Sequence, residues 1–171
     1  YFGYYNSANG TSVVAKKDGA SALATGITLP TSMRVRSIAE YGNYLAIACE
    51  PVSGATPGFG RSVVYLWDRD ATLTTLSESV YWGEERLHII EEVNGILLGI
   101  SIAAGAPYFD RRIVFRNLSV SNAKILLEIT TSSEVSISST NSKQKLNNRL
   151  YFNIGLTTNG SFRVGVWSVA I

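Results

Sequence analysis

With 171 residues, 16% of them charged and 46% hydrophobic, the chain is long and apolar enough to bury one core, and collagen, coiled coil and a disordered tail are excluded. Its 15 basic and 13 acidic residues leave a formal charge of +2, too small to draw nucleic acid or an anionic membrane by net charge. One cysteine, Cys49, and one histidine, His88, make neither an internal disulfide nor a His/Cys metal set, and no apolar run reaches the roughly 18 residues of a membrane-spanning helix.

The first strand-like segments already carry a repeat. Ser12-Val13-Val14-Ala15-Lys16-Lys17-Asp18 returns 50 residues later as Ser62-Val63-Val64-Tyr65-Leu66-Trp67-Asp68, identical at four of seven positions. Further shifts of 50 bring in Arg112-Ile113-Val114-Phe115-Arg116-Asn117 and Phe162-Arg163-Val164-Gly165-Val166-Trp167, with Val14, Val64, Val114 and Val164 in register. Next along the chain, three apolar runs of strand length begin at Tyr44, Ile96 and Leu150, each preceded by a turn signal: Gly42-Asn43, Asn94-Gly95 and Asn147-Asn148. Gly and Asn tolerate the positive φ that tight hairpins demand, so each signal joins two antiparallel strands, here termed a and b. A variable loop follows, then the Val-containing strand c, a polar turn such as Asp68-Arg69-Asp70, and a Thr/Ser/Leu-rich strand d, as in 72–79 and 124–129.

Four-stranded units of about 50 residues without a helical period are the signature of a β-propeller. The b strands are apolar on both faces, as strands are when sheets cover them on either side, and Ala46, Ala48 and Gly99 permit close approach. The sequence therefore predicts an all-β chain of about three and a half blades: a partial blade over 1–32, blades over 33–83 and 84–137, and a partial blade over 138–171. Such a set does not close a ring, so the expectation is a segment of a larger closed ring whose end faces are covered by further blades of the same polypeptide or by other structural subunits.

Chemistry-bearing groups are few. Glu84-Glu85 and Glu91-Glu92 are the paired acids, and the second pair beside Asn94-Gly95 reads as a solvated strand end. His88 lies between Leu87 and Ile89 in a strand with no second histidine, Cys49 ends a core strand, and Asp68 and Asp70 read as a turn rather than a calcium loop. No catalytic, cofactor or metal residue is expected. The loops after strands b and d carry the clearest departures from the repeat. Phe59 and Arg61, Trp82 and Arg86, and Tyr108, Phe109 and Arg111 lie in or beside them at one predicted end of the sheets, an aromatic and Arg composition typical of binding anchors.

The stretches Gly42 to Ala48, Ser62 to Thr74, Trp82-Gly83-Glu84-Glu85 and Arg163 to Val169 together resemble the β-propeller domains of tailed-bacteriophage structural proteins, in particular tail, nozzle or adsorption components. The resemblance spans roughly residues 35 to 170. It implies a non-enzymatic virion part without a cofactor, whose partners are other structural subunits. The alternative is an extracellular carbohydrate-binding or glycan-processing propeller using Trp82, Tyr108 and Phe109 as sugar platforms on a cell-surface glycan. Neither reading expects nucleic acid as a partner.

Overall fold

The computed structural model describes residues 1–22, 24–30, 33–51, 62–70, 77–83, 86–104, 111–119, 124–131, 134–136, 143–147, 149–158 and 161–170. All regular structure among them is β-strand, arranged in four antiparallel sheets that follow one another in chain order. Sheet 1 runs β1 (Phe2–Asn6), β2 (Thr11–Lys16), β3 (Ala24–Thr28). Sheet 2 runs β4 (Met33–Tyr41), β5 (Tyr44–Pro51), β6 (Ser62–Trp67), β7 (Ser77–Gly83), and sheet 3 runs β8 (Arg86–Val93), β9 (Ile96–Ala104), β10 (Arg111–Asn117), β11 (Lys124–Thr131). In sheet 4 the long β14 (Arg149–Thr158) has β15 (Ser161–Ala170) along one edge, and the other edge is shared by β12 (Glu134–Ser136) and β13 (Lys143–Leu146). The a-position of this last sheet is thus split in two, and residues 134–136 belong to sheet 4 rather than to the preceding unit.

Local sequence explains the hairpins. Asn94 and Gly95 both take positive φ, 50° and 80°, between β8 and β9, and Gly42 and Asn147 do so at the equivalent turns. These are the predicted a–b hairpins. The a strands share a second device: the register with the b strand slips between Val35 and Ser37 and again between Leu87 and Ile89, so Arg36 and His88 occupy matching bulges.

Period-2 alternation then gives sheet 2 two apolar faces. On sheet 2, Leu45, Ile47, Cys49, Val63 and Trp67 pack with Val14, Ile27 and Leu29 of sheet 1. The intervening Ala39, Ala46, Ala48 and Val64 pack with Leu87, Ile90, Leu97 and Leu118 of sheet 3. On sheet 2 the large side chains therefore face backwards along the chain and the small ones forwards. Sheet 3 meets sheet 4 through Phe115 and Phe152, ring centroids 6.0 Å apart and edge-on. Gly26 marks one close approach, since a Cβ there would stand 2.6 Å from the Trp67 ring.

The structural period departs from 50 beyond sheet 2. Leu45 opposes Trp67 as Leu97 bonds Leu118 and as Leu150 opposes Val169, steps of 52 and 53 in strand b and of 51 in strand c. Val64 consequently faces sheet 3. Val114 opposes Ser101, which alternation places on the same side as Leu97, the side toward sheet 2. The Val64 and Val114 register expected from the sequence is therefore one residue out: matching valines conceal a shift that reverses the face, as a one-residue slip must in a strand.

Candidate functional site

Of the residues singled out in the sequence, Phe59, Arg61, Tyr108 and Phe109 lie outside the described residues. For Trp82, Arg86 and Arg111 the backbone alone is described. Trp82 opposes Val63, Arg86 opposes Ile102, and Arg111 opposes Ala104 and Thr131. All three sit at the sheet end where β5, β7 and β9 finish and β6, β8 and β10 begin. There Ser62, opposite Gly83, accepts a hydrogen bond on its buried Oγ from the Leu87 N–H at 2.8 Å, which fixes the start of β8 against the start of β6. Close to the same end Arg36, in its bulge, pairs through Nη2 with Oε1 of the buried Glu50.

A second constellation joins three sheets through their a strands. Ile38, Ile90 and Lys143 hold matching positions in β4, β8 and β13, opposite Ile47, Gly99 and Phe152. The Ile90 N–H donates to the buried Ser37 Oγ at 3.1 Å, stitching β8 to β4. Lys143, mostly buried, directs its ammonium to the Ile38 carbonyl at 2.8 Å, to the Ile90 carbonyl, and to Glu91 Oε2 at 2.8 Å. Three acceptors match the three N–H donors of an ammonium. One position further along the same face, Lys145 meets Glu91 Oε1 at 3.5 Å and Glu92 Oε2 at 3.2 Å, and also donates to the Glu92 carbonyl at 2.6 Å.

Burial pulls Lys143 below the ordinary lysine range, and the hydrogen bond to Glu91 only partly opposes this. Glu92 is held below the usual carboxylate range by the Gly95 N–H and by Lys145. These charges brace strands. The expectation of a solvated Glu91-Glu92 pair is corrected for Glu91, whose side chain is only 16% exposed because sheet 4 delivers two lysines onto it. Reading single strands could not find this set. The signal was periodic: positions 38, 90 and 143 read Ile, Ile, Lys, and positions 40, 92 and 145 read Glu, Glu, Lys.

Among the described residues no three His, Cys, Asp or Glu converge to hold a metal ion. Cys49 is a buried free thiol, pushed up to about 12 by burial. No protein-family model, curated protein or solved structure matches the chain.

Proposed function

We propose that the four sheets are successive blades of a β-propeller and that the chain is a non-enzymatic structural protein, a virion part of the phage-tail kind its sequence resembles, offering rigid surfaces for assembly. The propeller arrangement is supported by the a strands. Lys143 of sheet 4 touches both β8 and β4, as inner strands of wedge-shaped blades would when they converge on an axis.

The observation that carries the assembly role is the state of the two outermost faces. Phe2 and Tyr4 on sheet 1 are 41% and 42% exposed, and Leu146 and Val166 on sheet 4 are 52% and 73% exposed, whereas the faces between sheets are apolar and buried. Exposed large apolar side chains on the two end sheets, set on sheet 4 among Arg149, Asn153 and Ser168, support contact surfaces there. Immunogold labelling with an antibody to the chain, applied to particles from cultures producing the protein, should decorate virion tails. Gold on no particle would remove the virion reading. A glycan array with the intact protein should give no specific signal, and strong binding lost in Trp82→Ala would replace the scaffold with a carbohydrate-binding propeller.

A further inference from the structure

The short strand β13 is held in place by charge. Lys143 is partly buried and Gln144, Lys145 and Leu146 are exposed, Leu146 at 52%, so β13 puts no apolar side chain into a core. It is an edge strand paired only with β14, from Lys143 opposite Phe152 to Leu146 opposite Arg149. Toward sheets 2 and 3 it is tied by two ammonium groups, Lys143 on the Ile38 and Ile90 carbonyls and Glu91, and Lys145 on Glu91, Glu92 and the Glu92 carbonyl. The junctions between sheets 1 and 2 and between sheets 2 and 3 are of another kind. Each holds an apolar cluster, and the second adds neutral stitches from Ser62 to Leu87 and from Ser37 to Ile90. Apolar contacts do not titrate, whereas an ion cluster does.

We propose that β13 is an acid-released strap: with Glu91 and Glu92 ionised it ties sheet 4 across β8 to β4, and when both carboxyls take up protons it lifts away. The two ammonium groups already repel one another, and protonation of the carboxyls leaves them side by side without a countercharge. A four-residue edge strand with no apolar anchor then frays from β14, opening residues 149–152 of β14 and the Ile38 and Ile90 carbonyls to water. The surrounding elements supply no substitute among the described residues. In β4, Glu40 holds the position matching Glu92, but it is 3.7 Å from Arg69. From β9, Leu98 and Leu97 stand opposite Glu91 and Glu92, and the Arg149 guanidinium of β14 donates to Ser168 Oγ. His88, the other titratable side chain described in β8, lies in the bulge before Ile89. The sign is definite for Glu92. The Gly95 N–H and Lys145 hold it below the ordinary value of 4.5 in the folded chain, so its contribution is complete above 4.5 and is lost as the pH falls through the depressed value.

Amide hydrogen exchange of the whole chain at about pH 7 and about pH 3, each normalised to the intrinsic rate at that pH, tests the strap. Acid should speed exchange across Lys143–Leu146 at least about tenfold, for the charge-assisted hydrogen bonds lost, while residues 45–49 of β5 and 97–101 of β9 keep their protection. Glu91→Gln combined with Glu92→Gln keeps the shapes and removes the charges, and should show the same selective loss at about pH 7 with no further loss in acid. The wild-type comparison needs no substitution, so it decides even where the double variant fails to fold. Equal protection of β13 at both pH values, loss in β5 and β9 in the same step as β13, or a double variant that stays protected at neutral pH would each overturn the strap.

Discussion

Replacing Lys143 by Met keeps a long apolar stem and deletes the ammonium, so it isolates the charge that links sheet 4 to sheets 2 and 3. Lys143 and Glu91 are 18% and 16% exposed, close enough to buried that screening by water is slight. Breaking a buried pair by removing one partner costs about 3–5 kcal/mol because the other charge is stranded. Here Glu91 retains Lys145 at 3.5 Å, which lowers the expected loss to about 2–3 kcal/mol, or a fall in Tm of roughly 4–12 °C for a chain of this size. Glu91→Leu combined with Lys143→Met should recover most of that loss, since apolar residues can replace a buried ion pair at little net cost. The measurement is urea denaturation of the two single variants and the double variant. The pH dependence carries a definite sign. Burial depresses the folded-state value of Lys143 below 10.5, so within that window the unfolded chain holds a proton that the folded chain has released, and this group's contribution to stability rises with pH toward 10.5. Lys143→Met should abolish that rise. A loss below about 0.5 kcal/mol, the scatter of ordinary surface substitutions, would refute the bridging role.

Three further outcomes follow from the packing. Gly26→Ala drives a methyl group into the Trp67 ring and to 3.1 Å from the Val14 carbonyl, so thermal unfolding should show a destabilisation of about 1–3 kcal/mol. Ser62→Ala removes the acceptor of the Leu87 N–H in a buried site and should cost about 1–3 kcal/mol by denaturant unfolding, with faster amide exchange at Leu87. With its thiol pushed up to about 12, Cys49 holds about one thiolate in ten thousand at pH 8, so a thiol reagent should modify it only at the rate of unfolding.

The strand pairing was legible because it is written locally. Asn94-Gly95 requires a hairpin wherever it stands between apolar runs, and Val63-Val64 has β-propensity on either face. The exact period was hidden because the valine pattern repeats every 50 residues while bulges and loop lengths set steps of 51 to 53, and no single strand reveals which of two adjacent valines faces inward. The ion cluster was hidden for a different reason. Glu91 and Lys143 stand 52 residues apart on different sheets, and only the convergence of the a strands makes them neighbours. The aromatic loops fared differently again: strand ends bring the backbones of Trp82, Arg86 and Arg111 to one end of sheets 2 and 3, while Phe59 and Tyr108 lie outside the described residues.

The a strands of sheets 2, 3 and 4 meet at the Lys143 ammonium, which reaches the Ile38 and Ile90 carbonyls. Selective carbon-13 labelling of lysine and isoleucine, followed by a nuclear Overhauser experiment, observes it directly. Convergence predicts cross-peaks from the Lys143 side chain to the backbone of both Ile38 and Ile90, lost together in Lys143→Met. Cross-peaks to Ile90 alone would mean that sheet 4 stacks on sheet 3 without reaching β4, and would contradict the convergence of the three strands.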